Sequence, residues 1–141
     1  MEFKTEKDII SKENIKYIYD SNKVELIGNF AIDKIYTSIK NSHLVISIWN
    51  NGRFLGFCHV ISDGIFFGRI QELIIHPELK EKEDQNIITD MLLHLFDNCP
   101  NLKTFHLNPG VHEKKTIYKH KHFVPSSQLK RLYWSIHEDE F

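Results

Sequence analysis

The chain has 141 residues, of which 41% are hydrophobic, and its formal net charge at pH 7 is -1. This length suits a single domain, residues 1–141, with enough apolar side chains to bury a core. Because 18 Lys and Arg residues balance 19 Asp and Glu residues, the chain lacks the basic excess that binds nucleic acid or acidic membranes. We therefore expect neither nucleic acid nor a membrane among its partners.

The N-terminus and the cysteines predict a cytoplasmic protein. The first residues are mostly polar, unlike the apolar core of a signal peptide, and no apolar run reaches membrane-spanning length. Cys58 stands in an apolar segment and Cys99 precedes Pro100. This pattern predicts two reduced, buried thiols rather than a disulfide framework.

The first part of the chain predicts one strand and one helix. Residues 15–19 alternate weakly between polar and apolar side chains, which favours a strand. Residues 27–42 become helical in their second half, where apolar side chains recur every three or four positions.

The middle of the chain predicts three successive antiparallel strands, at residues 43–49, 53–61 and 66–75. The first connection contains Asn51 and Gly52, which tolerate the positive φ angles of a type I′ hairpin turn. The second connection contains Asp63 and Gly64, which also favour a turn.

The remaining residues predict a helix, a strand, a helix and a final strand. The apolar face of the first of these helices consists of Ile87, Ile88, Met91, Leu92, Leu95 and Phe96. The later elements are a strand at residues 104–107, a helix at 112–120 and a strand at 129–136. A right-handed crossover through the first helix makes its two flanking strands parallel. The order predicts an α+β, sandwich-like fold with a mixed, mostly antiparallel central sheet flanked by helices.

Three segments have motifs that occur together in one enzyme family. They are Leu55-Gly56-Phe57 with the turn that ends at Gly64, Gln71-Glu72-Leu73-Ile74-Ile75-His76-Pro77-Glu78, and Ile117-Tyr118-Lys119-His120-Lys121-His122-Phe123. In this order and spacing the chain resembles the GNAT superfamily of N-acetyltransferases over roughly residues 28–125. The resemblance implies the mixed sheet predicted above. It also implies acetyl-CoA as cosubstrate and direct transfer of an acetyl group to an amine of a small molecule or protein.

The resemblance also implies where acetyl-CoA binds. In this family the strand end pairs through its backbone with the pantetheine arm, and the following loop wraps the pyrophosphate at a helix N-terminus. The matching positions here, with a tyrosine near the thiol, are Leu73, Ile74, Ile75, Lys80, Lys82, Glu83, Asp84, Gln85, Asn86 and Tyr118.

Two residues are the candidates for proton transfer. Tyr118 matches the tyrosine that protonates the departing thiolate in this family. Glu72 is the best candidate for the general base that deprotonates the acceptor amine, with an ion pair or an exposed position as the alternative. His76 either faces the acceptor cleft or caps a turn.

The predicted pyrophosphate loop departs from the family pattern. Glu83 and Gln85 occupy positions where glycine lets the backbone approach phosphate, and Lys80 replaces Gln or Arg. A carboxylate about 4 Å from a phosphate costs roughly 1 kcal/mol in water and about 4 kcal/mol near a protein surface. The loop therefore weakens ordinary CoA binding.

The segment that contains Tyr118 departs as well, because His122 replaces a glycine. Its basic side chains either hold CoA phosphates or form an ordinary solvated helix face: Lys114, Lys115, Lys119, His120 and Lys121. The spacing of His120 and His122 is weak support for a metal, and we predict none.

Two functions remain open from the sequence. One is an acetyl-CoA-dependent N-acetyltransferase, and the other is a catalytically inactive GNAT-like binding or regulatory module. Motifs for serine hydrolases, P-loop NTPases and zinc proteases are missing from the sequence. Exposed edge strands in this fold class also make a homodimer a reasonable expectation.

Overall fold

The structure is a computed structural model that describes residues 1–26, 28–81, 86–102, 104–107, 123–125 and 134–137. The strands are β1 (Glu2–Lys4), β2 (Leu44–Asn50), β3 (Arg53–Ser62), β4 (Phe67–Ile75), β5 (Thr104–Leu107), β6 (Phe123–Pro125) and β7 (Trp134–His137). The helices are α1 (Lys12–Ser21), α2 (Gly28–Asn41), α3 (Pro77–Glu81) and α4 (Asn86–Asp97).

All of these strands belong to one mixed sheet in the order β1-β2-β3-β4-β5-β7-β6. The pairs from β1 to β4 are antiparallel, and so are the pairs β5–β7 and β7–β6. The pair β4–β5 is parallel, because α3 and α4 return the chain to the same end of the sheet. The predicted α+β fold with a mixed, mostly antiparallel sheet is confirmed.

Each face of the sheet buries its own apolar core. On one face, α4 packs against the inward side chains of β2 to β5, with Ile88, Met91, Leu92 and Leu95 fully buried. On the other face, α1 and α2 pack against the alternate side chains of β2 to β4, including Phe57 and Ile74. This alternation follows from the two-residue period of a strand and explains the near-continuous apolar character of β2 and β3.

The prediction of a strand at residues 15–19 was wrong, because this segment lies in α1. Ser11 caps the helix by accepting a hydrogen bond from the backbone N–H of Asn14, whose side chain accepts from the Ser11 N–H. Ile15, Ile18 and Tyr19 are buried at helical spacing, whereas a strand would bury every second residue. The first strand is instead β1, which pairs with β2.

The local predictions in the middle of the chain are confirmed. The turn between β2 and β3 places Asn51 at φ 51° and Gly52 at φ 78°, as a type I′ turn requires. Asp63 shapes the β3–β4 turn by accepting hydrogen bonds from the backbone N–H groups of Ile65 and Phe66. Both cysteines are buried and reduced.

Other predictions need correction or lie outside the described residues. The short helix α3 stands where a loop was expected after Pro77, and α2 begins earlier than the periodicity indicated. The short strand β6 was missed. The last predicted strand is described only from Trp134 onward, as β7, and the predicted helix 112–120 lies outside the described residues. Among the described helices, none is both long and apolar enough to cross a bilayer.

Candidate active site

The described pairing of β4 with its parallel neighbour β5 covers only the first half of β4. Pairing with β5 runs from Phe67 opposite Thr104 to Ile70 opposite Leu107. Within the described part of the chain, no strand pairs with residues 71–75 on that side. We call this segment the open edge of β4. Its backbone groups on the side away from β3 have no partner strand among the described residues.

A β-bulge lies at the start of the open edge. Phe57 of β3 faces Ile74, whereas His59 faces Gln71, so β4 contains one residue more than β3 between these pairs. Glu72, within the bulge, has φ 51°. This left-handed conformation costs a non-glycine residue about 1–2 kcal/mol. A bulge bends its strand and increases the local twist, and this bulge begins directly after the described pairing of β4 with β5 ends.

The direction of the backbone groups on the open edge follows from the pairing with β3. The His76 N–H donates to the Leu55 carbonyl oxygen at 2.8 Å. Because N–H and C=O point in opposite directions across a trans peptide, the Ile75 carbonyl points away from β3. Ile74, two residues before His76, pairs with Phe57, so its own N–H and C=O groups point toward β3. The Ile75 N–H and the Leu73 carbonyl therefore point away from β3, as the Ile75 carbonyl does.

One of these groups already has a partner within the protein. The side-chain amide of Asn22, at the C-cap of α1, donates to the Ile75 carbonyl oxygen at 3.0 Å. The same amide donates to the Ile18 carbonyl at 2.8 Å. Asn22 therefore bonds the last turn of α1 to the open edge of β4.

A second contact joins α1 to the bulge. The hydroxyl of Tyr19 donates to Oε2 of Glu72. Glu72 is exposed, whereas Tyr19 is only 6% exposed. Burial and the charge of Glu72 raise the pKa of Tyr19 far above its ordinary value, so the hydroxyl stays protonated and remains a donor. The result is a solvent-accessible carboxylate held at the start of the open edge.

A third group of contacts, the His76 network, fixes the far end of the open edge. Nδ1 of His76 accepts a hydrogen bond from the Glu78 N–H at 3.1 Å, and Nε2 lies 3.1 Å from the Tyr17 hydroxyl. Arg53 donates to that hydroxyl and pairs with Glu78, each at 2.9 Å. The structure thus shows the turn-capping alternative for His76. Because Nδ1 accepts, neutral His76 carries its proton on Nε2.

His59 is a buried polar residue beside the bulge. Its side chain is 1% exposed, and neither ring nitrogen has a hydrogen-bond partner among the described residues. Burial lowers the pKa of His59 to about 4, so the imidazole is neutral at physiological pH. A neutral ring without partners contributes no charge to the site.

No protein-family model matches this sequence, and neither does any curated protein. Solved structures do match it. A GNAT-family acetyltransferase from Streptococcus pneumoniae TIGR4 has a TM-score of 0.70 at 17% identity, covering 90% of this chain and 89% of that chain. An aminoglycoside 6'-acetyltransferase type Ii has a TM-score of 0.68 at 12% identity, covering 98% and 97%. The chain has the GNAT acetyltransferase fold.

A third match with this fold was solved with a ligand. The PaiA N-acetyltransferase from Thermoplasma acidophilum, in complex with coenzyme A, has a TM-score of 0.62 at 13% identity. The match covers 97% of this chain and 99% of that chain. At such low identities the likeness establishes the fold alone. The resemblance noted in the sequence is therefore confirmed at the level of the fold.

Four of the predicted site residues lie on the open edge of β4. Glu72, Leu73, Ile74 and Ile75 are consecutive on the open edge. Lys80 lies in α3, and Asn86 begins α4. The other predicted site residues lie outside the described residues, and their roles remain predictions: Lys82, Glu83, Asp84, Gln85 and Tyr118.

The aromatic residues of the three central strands and their turns divide into two groups. Trp49, Phe54 and Phe57 are buried, and their rings contact one another in sequence. Phe66 and Phe67 are exposed near the β3–β4 turn, and Phe67 contacts the ring of His106 edge-on at 4.9 Å between centroids.

Three residues at this site were not identified from the sequence. Tyr19 and Asn22 were missed because their segment was assigned to a strand or left unassigned, whereas a helix brings both onto β4. His59 looked like one more position in an apolar strand. Within the described ranges, no cluster of three or more His, Cys, Asp or Glu side chains is arranged to hold a metal ion.

Proposed function

We propose that the protein is an acetyl-CoA-dependent N-acetyltransferase that moves an acetyl group directly to an amine of a small molecule or protein. The observation that carries the proposal is the open edge of β4, where outward backbone groups of Leu73 and Ile75 lie beside the exposed carboxylate of Glu72. The GNAT fold supports the same activity.

The open edge suits the cosubstrate because the pantetheine arm of CoA contains secondary amides. The Leu73 carbonyl and the Ile75 N–H can pair with such amides as a neighbouring strand would. This pairing uses backbone atoms, so it tolerates changes of side chain. In this proposal Lys80, Asn86 and the intervening residues hold the pyrophosphate, with Lys80 and Lys82 offsetting part of the acidic charge of the loop.

Glu72 supplies the base that the reaction needs. A protonated amine cannot attack a thioester, so Glu72 first accepts a proton from the acceptor ammonium. The amine nitrogen then forms a bond to the thioester carbonyl carbon, and a backbone N–H of the open edge stabilises the oxyanion. The C–S bond breaks, and Tyr118 gives its proton to the departing thiolate. The nitrogen loses its remaining excess proton through solvent to the Tyr118 oxygen, which restores the phenol. The acetyl group leaves as an amide, and CoA leaves as the thiol.

The second candidate function is a GNAT-like binding or regulatory module without catalysis. Its specific support is the side chain of Asn22, which already occupies the Ile75 carbonyl. Glu83 and Gln85, where glycines would admit phosphate, favour it as well.

We also propose that residues 1–141 form one domain. A single sheet joins strands from Glu2 to His137, which supports this extent. A homodimer and a cytoplasmic location remain predictions from the sequence.

Titration calorimetry with acetyl-CoA and desulfo-CoA tests the proposal. We expect a dissociation constant below about 1 mM, equivalent to a binding free energy of at least about 4 kcal/mol. Weaker binding of both ligands rejects the enzyme in this form. Binding without acetyl transfer to any amine in a broad panel selects the second candidate.

Two variants then test the assigned residues. Glu72→Gln removes the base and should lower kcat/KM for the amine by about a hundredfold or more, with CoA affinity unchanged. Tyr118→Phe should lower turnover much more than affinity. Glu25→Gln is the matched control, because Glu25 is exposed between α1 and α2. Equal turnover in Glu72→Gln and Glu25→Gln would remove Glu72 from the mechanism.

A further inference from the structure

The contact between Tyr19 and Glu72 has the geometry of a support for a catalytic base. We propose that Tyr19 is a positioning residue, whose buried hydroxyl fixes the Glu72 carboxylate where it takes the proton from the acceptor amine. This inference rests on the proposed function, because it assigns Tyr19 to the same acetyl transfer.

The backbone at Glu72 indicates that its side chain is needed. The non-glycine residues with positive φ in the described part of the chain are Lys23, Asn51 and Glu72. Lys23 and Asn51 are exposed in turns, where such angles are common. Glu72 instead lies inside a strand, at a bulge position that glycine would occupy without strain. Strained residues concentrate at functional sites, so the presence of glutamate rather than glycine at this position indicates that the carboxylate has a function.

The burial of Tyr19 explains how the carboxylate is held. Tyr19 lies among the apolar side chains that join α1 to the sheet, and its hydroxyl needs a partner there. That partner is Oε2 of Glu72. Since burial and the Glu72 charge raise the pKa of Tyr19, the hydroxyl donates throughout the physiological pH range.

The hydrogen bond leaves one carboxylate oxygen for the acceptor. Tyr19 donates to Oε2, and no described residue donates to Oε1 of Glu72. An exposed glutamate samples many rotamers, and anchoring one oxygen reduces the freedom that acceptor binding must remove. Proton transfer also depends on alignment, so an anchored base is closer to the reactive geometry.

A purely structural bond predicts a different outcome. If Tyr19 only fastens α1 to β4, its loss lowers the melting temperature but leaves kcat for the folded protein unchanged. Tyr17 provides the matched control, because its hydroxyl joins the same helix to the same strand end through His76 and not through Glu72.

The test compares Tyr19→Phe with Tyr17→Phe. We expect Tyr19→Phe to lower kcat/KM for the amine by about tenfold to a hundredfold, which is part of the about 10²–10⁴ that a general base contributes. CoA affinity should stay within about twofold, because no group on the open edge is lost. The loss should appear in kcat at saturating acetyl-CoA and not in the KM for acetyl-CoA, because the base acts in the chemical step. Tyr17→Phe should keep the wild-type kcat and kcat/KM.

A double-mutant cycle separates positioning from a direct role. In a Glu72→Gln background, Tyr19→Phe should have no further effect on kcat/KM, because both changes act on one proton transfer. If Tyr19→Phe does not fold, Glu72→Asp serves instead, since its carboxylate is too short for the same hydrogen bond and should show a similar loss.

The outcomes distinguish this inference from the proposed function. Wild-type kcat and kcat/KM in folded Tyr19→Phe, or in Glu72→Asp, would overturn the positioning role while acetyl transfer stands. Absence of acetyl transfer by the wild-type protein to any amine would overturn both.

Discussion

Asn22 and Ile75 are joined by a 3.0 Å hydrogen bond from the side-chain amide to the backbone carbonyl on the open edge of β4. The carbonyl points from the same edge as the Leu73 carbonyl and the Ile75 N–H, which pair with the pantetheine arm in the proposed function. A ligand on this edge would therefore compete with Asn22 for the Ile75 carbonyl oxygen.

Replacement of Asn22 by alanine should tighten acetyl-CoA binding. The freed Ile75 carbonyl can accept a hydrogen bond from the ligand, which is worth about 0.5–1.5 kcal/mol, or about twofold to tenfold in affinity. The free energy of unfolding should fall by about 1 kcal/mol, because the side-chain bonds at the end of α1 are lost. Titration calorimetry and chemical denaturation measure the two effects.

Asn98→Ala is the matched control for this change. Asn98 follows α4 and donates to the His94 carbonyl at 2.8 Å, as Asn22 does to Ile18, but it has no bond to β4. We expect Asn98→Ala to lower stability without changing CoA affinity. An unchanged or weaker affinity in Asn22→Ala would show that its amide does not compete with the ligand.

The stability of the protein should depend on pH through His59. Because burial lowers the pKa of His59 to about 4, the unfolded chain binds a proton at a higher pH than the folded chain does. The free energy of unfolding should therefore decrease as the pH falls from about 6.5 to about 4, by up to about 3 kcal/mol. Denaturation curves at a series of pH values measure this slope.

Substitution of His59 by leucine isolates this contribution. The variant removes two ring nitrogens that lack partners among the described residues, so it should be more stable than wild type by about 1 kcal/mol at pH 7.5. The difference between variant and wild type should grow as the pH is lowered to 4.5. A constant difference at both pH values would mean that the imidazole finds a proton acceptor in the folded protein.

Gly56 is needed for the close approach of β3 to the open edge. A Cβ atom at this position would lie 2.6 Å from the Ile74 carbonyl oxygen and 2.9 Å from the Ile75 Cα atom. We expect Gly56→Ala to destabilise the protein by about 1–3 kcal/mol and to weaken CoA binding, because β4 must shift. Gly52→Asn is the control, since a side chain there meets open space and Asn tolerates positive φ. A fully stable Gly56→Ala protein would contradict this account.

The acidic residues that precede α4 in the sequence should limit CoA affinity. Changing Glu83 and Gln85 together to glycine removes a charge and allows closer approach of the backbone to phosphate, so affinity should rise by about tenfold or more. Glu25→Gln controls for the general loss of an acidic residue. Unchanged affinity in the double variant would show that the pyrophosphate does not meet this loop.

The parts of the fold that were predicted correctly depend on local chemistry. The pair Asn51 and Gly52 between two apolar strands favours a hairpin turn, whatever the rest of the chain does. The buried face of α4 is evident from the spacing of its apolar residues. The order of these elements, together with the motif at Gly56, was sufficient to predict the mixed sheet. Distant parts of the chain were not required.

The error at α1 arose because residues 15–19 fit both the two-residue period of a strand and the 3.6-residue period of a helix. Residues 15–19 alternate like a strand, and their neighbours Ser11 and Asn14 form the capping box that decides for a helix. Without this helix, no sequence pattern predicted that Tyr19 or Asn22 lies beside β4.

The bulge at Glu72 could not be predicted from the sequence for a different reason. It exists only in the register between β3 and β4, where one strand has an additional residue, and register depends on the pairing of separate segments. Glu72 was identified as the candidate base from its motif, whereas its positive φ and its bond to Tyr19 required the structure.

Cys58 faces the bulge from β3 and is sealed in the same core as Cys99, beneath α4. Burial also raises the pKa of the Cys58 thiol, which leaves it unreactive while the fold is closed. The two thiols can therefore be used to measure transient opening of the core, because a thiol reagent such as a disulfide dye reacts with them only while the core is open. If acetyl-CoA slows this labelling, ligand binding is visible without any turnover, even in a protein that performs no chemistry.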